Sequence, residues 1–453
     1  MRRTLFFIIC TSLLLSLMPA SFSKVGTSCK KIGATKKVAG KELVCLKQGR
    51  KLIWRAPNSN PPTKPTPAPS TPVINTVVET PVSEMDDSSK CKIARPKEVD
   101  EGVGHYGFPR GRNFLPSRGL FNGIVIPVEF SDAKAKLSPV ENSRPYIDDF
   151  KRFWESMSKG SIRFEIQTLN QWISMPKSAK EYAGVWPHFP EMDNYIKEVI
   201  SKADPLIDFR QFSIVYIIPV DEVKNFFEVG PVVASGNSEY FQTNEGPINN
   251  LVVGTDPSIS MGGVKWKWFA HETGHLFGLS HPHSFENNDK RLASIFSLMD
   301  FGYVAPGLYG WERWLVDWIK PANVRCKDIS NVQKLSHIHD LAPLGSESGN
   351  EIVVYRIEDQ KALVIENRRA NEFDLLPKDY EGVFVYEVNS AKLEAAITPI
   401  IGTRFTIDES KPRYNGSRLV GTLKAGESVK YRNLDIKVLQ ERGKNYFVEI
   451  RGS

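Results

Sequence analysis

The chain has 453 residues, of which 41% are hydrophobic and 25% charged, with a formal net charge of +7. That balance excludes a wholly disordered chain, a collagen and a multi-span membrane protein, and the length predicts about two to four domains. The charge is uneven: residues 24–56 hold ten Lys/Arg against the single acid Glu42, and Arg2 and Arg3 add two more, so the remainder is net acidic.

Arg2 and Arg3 precede the apolar run Leu5–Leu17, and the small residues Ser21 and Ser23 flank Phe22. This reads as a secretory signal peptide over residues 1–23, cleaved between Ser23 and Lys24. Its apolar core is short of the roughly 20 residues a membrane span needs, and no later segment is apolar enough to span. Cys10 has no lipobox around it. The mature chain is therefore expected outside the cell, secreted or held at the cell wall. There Cys29, Cys45, Cys91 and Cys326 would form two disulfides. Pairing Cys29 with Cys45 and Cys91 with Cys326 is one of three connectivities, and sequence alone does not choose between them.

Residues 24–56 form a small lysine-rich module, too short to bury a core without a disulfide staple. Its charge suits contact with an anionic cell-wall polymer, and a plain solubilising appendage is the competing reading. No nucleic-acid partner is expected. Residues 57–90 read as a linker, with the Pro/Thr-rich stretch Pro61–Pro67 favouring polyproline II.

Beyond the linker, Gly123–Phe130 reads as a buried strand, with Pro127 hinting at an edge or a bulge. Tyr146–Ser158 has helical apolar spacing, Ile162–Trp172 alternates like a half-buried strand, and Met192–Ala203 reads as a helix. Phe212–Val220 is the strongest strand signal, and Asn250–Gly254 is a shorter one. Intermixed strands and helices predict an α/β layered domain over 91–325. From residue 326 to 453 the pattern changes to strands: Ile352–Ile357, Ala362–Asn367, Gly382–Val388, Asp435–Leu439 and Tyr446–Ile450. Turns at Ala425–Glu427 and Arg442–Lys444 separate some of them, which predicts an all-β, sandwich-like domain.

The chemistry concentrates at His271-Glu272-Thr273-Gly274-His275-Leu276-Phe277-Gly278-Leu279-Ser280-His281. On a helix, i and i+4 share a face, so His271 and His275 can hold one ion from adjacent turns. Glu272 can stand beside the metal as a general base without filling its coordination shell. Gly278 lets the backbone take positive φ and end the helix, so that His281 can return as a third ligand. Three protein ligands leave a position open, as a catalytic zinc site requires. His-Glu-x-x-His alone arises by chance in about 1% of chains this long, and the further Gly and His lower that to about one in 10⁵. His283 is a rival third ligand, although His281 has the expected offset. Met299, in Ser297-Leu298-Met299-Asp300, stands where a methionine turn would lie beneath the histidines. Tyr303 is a candidate to bind the ion or stabilise the oxyanion, with core packing as its plain alternative.

These features, in order, resemble the immune inhibitor A-like family of secreted bacterial metallopeptidases. The resemblance begins at Val125–Asp132 and continues through Phe153, Ser158-Lys159-Gly160, Trp172 and Pro176 to the histidine motif. It extends to Gly310–Ile319, with Asp317 where a Gly is commoner, then to Leu363-Val364-Ile365-Glu366-Asn367-Arg368 and Gly382–Tyr386. His281-Pro282-His283-Ser284 departs from the family's commonest pattern, which is often acidic there. The resemblance implies a metzincin-like zinc peptidase domain with His271, His275 and His281 as ligands and Glu272 as base. Zn2+ is the implied cofactor, and Ca2+ is a second candidate because some members bind it.

The implied function is a secreted zinc endopeptidase acting on proteins or peptides. A non-catalytic cell-surface or cell-wall binding protein that retains the zinc site is the alternative, supported by the basic module, spacer and β-rich tail. The intact Glu272 argues against it. A zinc amidase acting on cell wall would share the metal but not usually this helix motif. Residues 85–120 could cover the cleft as a pro-segment.

Overall fold

The computed structural model describes residues 31, 34–38, 41–48, 51–55, 87–182, 190–223, 232–233, 241–254, 264–282, 296–301, 307–329, 336–374, 376, 378–393, 395–400 and 421–452. The expected signal peptide, Cys10, Cys29, the Pro/Thr-rich stretch, His283 and Tyr303 lie outside them. Among the described residues no helix is long and apolar enough to cross a membrane. The chain divides into two compact units, Met1–Val78 and Glu79–Ser453.

The first unit carries a three-stranded antiparallel sheet of β1 (Thr35–Val38), β2 (Lys41–Gln48) and β3 (Lys51–Arg55), in that order. Cys45, on β2, is fully buried and disulfide-bonded.

The second unit opens with a mixed α/β layer. Its elements are β4 (Gly119–Glu129), α1 (Pro139–Met157), β5 (Ile162–Thr168), β6 (Ile173–Ser174), α2 (Ala179–Tyr182), α3 (Pro190–Ala203) and β7 (Ile214–Pro219). There follow β8 (Val232–Val233), the small hairpin of β9 (Gln242–Thr243) and β10 (Gly246–Pro247), and β11 (Leu251–Val253). The sheet order is β5-β4-β7-β11-β8, with β6 also paired to β4. All these pairings are parallel except the edge strand β8. Pro127 sits inside β4, opposite Ile218 of β7. On the other side β5 has ended its pairing at Val125 and β6 begins at Val128, so the missing N–H falls where β4 is locally an edge.

Both faces of this sheet are covered, which explains why its strands read as apolar runs. Phe121, Val125, Ile214, Tyr216 and Ile218 face one apolar layer; Ile124, Ile126, Val215, Ile217 and Val253 face the other. The first layer is shared with α1 and with α4 (Lys265–Leu276). Phe269 of α4 lies 4.8 Å from Phe150 of α1 and 4.3 Å from Tyr216, ring centre to ring centre. α1 starts seven residues before the predicted Tyr146. Ser138 and Glu141 form a capping box at its head, with Pro139 in the first turn, and Pro145 is accommodated inside the helix.

After α4 come α5 (Leu298–Phe301), α6 (Gly310–Leu315), β12 (Val324–Asp328), β13 (Ser336–Leu341), β14 (Ile352–Glu358), β15 (Lys361–Arg368), β16 (Gly382–Asn389) and β17 (Ile397–Pro399). The chain closes with β18 (Ser428–Tyr431), β19 (Leu434–Arg442) and β20 (Asn445–Gly452). β12-β14-β15-β16-β17 make one sheet and β13-β20-β19-β18 another. Val353, Tyr355, Leu363, Ile365 and Val385 of the first share an apolar layer with Ile436, Val438, Val448 and Ile450 of the second. The opposite face of the first sheet, including Val354, Val364 and Tyr386, packs on Trp311 and Trp314 of α6, on Phe296, and on Ile93 and Tyr106. This layer runs across residue 326 and contains the Cys91–Cys326 disulfide, whose Cα atoms are 5.7 Å apart. Residues 91–115 carry buried side chains: Cys91, Ile93 and Tyr106 belong to this layer and Leu115 to the layer shared with α1 and α4.

Candidate metal centre

α4 delivers the first two histidines. Phe269 buries against α1 and the sheet, and His271 and His275, four apart, share another face. The helix ends in a Schellman turn. Gly278 has φ +78°, its N–H bonds to the carbonyl of His275 (2.8 Å), and the Leu279 N–H bonds to that of Gly274 (3.1 Å). Only glycine fits here, because a Cβ would lie 2.8 Å from the Phe114 ring. The turn reverses the chain and returns His281 to the first two rings.

The three rings then converge. His271, His275 and His281 each offer one ligand atom, all within 4.8 Å of one another. The Nε2 atoms of His271 and His281 are 3.0 Å apart, and the His275 and His281 ring centres are 4.5 Å apart. Two nitrogens bound at about 2.1 Å to one tetrahedral ion would be about 3.4 Å apart, so the donor set fits a zinc-sized ion with small adjustment.

Backbone carbonyls set the tautomers. His271 Nδ1 donates to Leu298 O (2.8 Å) and His275 Nδ1 donates to Leu279 O (2.7 Å). A carbonyl can only accept, so both rings carry their proton on Nδ1 and present a bare Nε2, the form a metal needs. Burial lowers the His275 pKa to about 4, which also favours the neutral ring. Burial pushes the Glu272 carboxyl well above its usual range; the residue is only 5% exposed.

Met299 lies directly beneath α4. A Cβ on Gly274 would come within 2.5 Å of Met299 Sδ, so the Gly in His-Glu-Thr-Gly-His is the space that admits the methionine. Ser297 Oγ accepts from the Met299 N–H (3.0 Å) and donates to Glu312 (2.7 Å). Glu312 is fully buried at the head of α6 and also accepts from Tyr309 N–H (2.8 Å) and Tyr106 OH (3.1 Å). The Tyr106 hydroxyl lies 2.6 Å from Ser280 O, and the Ile397 N–H reaches Pro282 O at 3.3 Å, so both neighbours of His281 are held.

The sequence reading thus brings His271, Glu272, His275, His281 and Met299 to one region, while Tyr303 and His283 lie outside the described residues. It missed the carbonyls of Leu279 and Leu298, which any residue could supply. It also missed Tyr106 and Glu312, whose only signal is their burial. Among the described residues the three histidines are the only group of three or more metal-ligating side chains so arranged.

Gly278→Ala is expected to lower stability by about 1–3 kcal/mol, because alanine is strained at this φ and meets the Phe114 ring. A urea unfolding curve with unchanged slope and a lower midpoint checks this.

No protein-family model matches the chain, and no curated protein matches it. Among solved structures it is similar to the crystal structure of wild-type OgpA from Akkermansia muciniphila. The identity is 16% and the TM-score 0.26, over 63% of this chain and 90% of that one. It is also similar to catalytic inactive OgpA from the same organism in complex with an O-glycopeptide (glycodrosocin) substrate. There the identity is 13% and the TM-score 0.23, over 70% of this chain and 94% of that one. Superpositions this loose establish no activity.

Proposed function

We propose that the chain is a secreted zinc-dependent endopeptidase of the immune inhibitor A-like kind, with a metzincin-like catalytic domain. The observation that carries the reading is the convergence of three imidazoles, two of them held with the proton on Nδ1, beside a buried glutamate. His271, His275 and His281 would hold the ion, leaving a coordination position free of protein. When bound there, Zn2+ supplies Lewis-acid chemistry, lowering the pKa of water toward about 7 and polarising a carbonyl.

The chain's own residues do the rest. Glu272 takes the proton of the attacking water and passes it to the leaving amine. Leu298 and Leu279 hold the two helix-borne rings in the tautomer that keeps Nε2 available. Tyr303 is proposed to donate to the developing oxyanion. The basic module at 24–56 is proposed to hold the secreted enzyme to anionic cell-wall polymer. Ca2+ stands only as a second ion suggested by the family resemblance. The strands after residue 326 are proposed as a β-sandwich that supports the catalytic layer.

Purified chain dialysed against zinc is expected to retain one equivalent by metal analysis and to cleave a denatured protein mixture at internal peptide bonds. Cleavage should stop in excess chelator and return with zinc. A chain that holds no zinc at saturation, or holds it and cleaves nothing, overturns the reading.

A further inference from the structure

The motif Glu366-Asn367-Arg368 lies on β15, in the sheet beyond the catalytic layer, yet its charged groups are turned toward the metal centre's supports. Glu366 and Arg368 are fully buried and Asp374 is 2% exposed. Arg368 Nη1 donates to Leu308 O (2.8 Å) and to Glu366 (3.0 Å). Its Nη2 donates to Phe296 O (2.9 Å) and to both oxygens of Asp374 (2.9 and 2.8 Å). Phe296 and Leu308 are the two ends of the segment that carries Leu298 and Met299. The carboxylates bond the backbone on either side of Leu308: Asp374 accepts from the Gly307 N–H (2.9 Å) and Glu366 from the Gly310 N–H at the start of α6 (2.7 Å). The Leu298 N–H bonds in turn to Gly307 O at 2.6 Å.

We infer that Arg368, with Glu366 and Asp374, is a positioning residue for the metal centre. One guanidinium holds both the Phe296 and the Leu308 carbonyls, and the carbonyl that fixes the His271 ring, Leu298 O, stands two residues from Phe296. A planar fork is needed, because two carbonyls and two carboxylates are met from one side chain in fixed directions. Lysine, with a single ammonium, keeps the charge but cannot span both carbonyls. The inference rests on the three histidines being a zinc site.

The test compares zinc affinity, read by competition with a chromogenic chelator, in wild type, Arg368→Lys and Val448→Ala. Val448 is buried in the other tail sheet, away from this cluster, and its truncation lowers stability without touching the segment. Arg368→Lys is expected to weaken zinc by roughly tenfold, the low end of the cost of losing a direct partner of a metal ligand, because Arg368 acts one contact further out. It should also shift the absorption bands of the cobalt-loaded protein, while Val448→Ala changes neither. Wild-type zinc affinity in Arg368→Lys overturns the inference, as does equal weakening in Val448→Ala. If Arg368→Lys does not fold, Glu366→Gln carries the same comparison, since it removes the anion on Nη1 and keeps the shape. Failure of the wild-type chain to bind zinc overturns the metal-site reading itself, which separates the two failures.

Discussion

Replacing Glu272 by glutamine is expected to lower peptide hydrolysis by roughly 10²- to 10⁴-fold while one zinc per chain stays bound. The two readouts separate because of where the residue sits. Glu272 follows His271 on α4, so it is turned by about 100° from the face that His271 and His275 share. It does not belong to the group of three convergent ligands. Glutamine preserves its size and its place in the interior but cannot take a proton from water. A purely structural Glu272 would behave in the opposite way. Its neutral replacement would leave the rate intact and raise stability, because a 5% exposed carboxyl is costly to ionise. Turnover of a fluorogenic peptide, zinc content by mass spectrometry and a thermal melt on the same preparation decide between them. A wild-type rate in Glu272→Gln removes the base from the mechanism.

The candidate metal centre is legible because its chemistry is written in side chains at fixed offsets. His271 and His275 can be found by spacing alone, His281 with His283 as its rival, and Gly278 by the positive φ their convergence requires. Met299 was found by its place after the third histidine, and the reason it fits, the missing Cβ of Gly274, became visible only in three dimensions. The strands of the central sheet were legible because burial on both faces forces continuous apolar runs, as in β7. What was missed has a physical pattern. β12 was passed over because Val324-Arg325-Cys326-Lys327-Asp328 is half polar; it is held by its parallel pairing with β14 and by the disulfide. β13, with His337, His339 and Asp340, was passed over for the same reason, although its register against β20 runs unbroken over six residues. The apolar spacing that marks α1 begins only at Tyr146, while its first turns are announced by the capping signal in Ser138-Pro139-Val140-Glu141. The clamp made by Glu366, Arg368 and Asp374 was seen only as a motif. Its partners are backbone carbonyls and N–H groups of a distant segment, and sequence marks neither.

His281→Ala is expected to weaken zinc by more than about a hundredfold, since losing a ligand should exceed the 10- to 100-fold cost of losing a partner behind one. His283→Ala is expected to leave zinc affinity at the wild-type value. Sequence left the choice open, because two histidines two residues apart follow the same glycine. Geometry distinguishes them through the chain around His281. The Schellman turn at Gly278 fixes where the chain leaves α4, Tyr106 OH meets the carbonyl before His281, and the Ile397 N–H meets the carbonyl after it. Held on both sides, the His281 ring has its Nε2 3.0 Å from that of His271 without further movement. Zinc titration of the two single variants, each checked for a cooperative melt, reads the choice directly. Wild-type affinity in His281→Ala with loss in His283→Ala would transfer the third ligand to the later histidine. Loss in neither would mean that two imidazoles suffice, and the site would then lack the three-ligand frame on which a single vacant catalytic position depends.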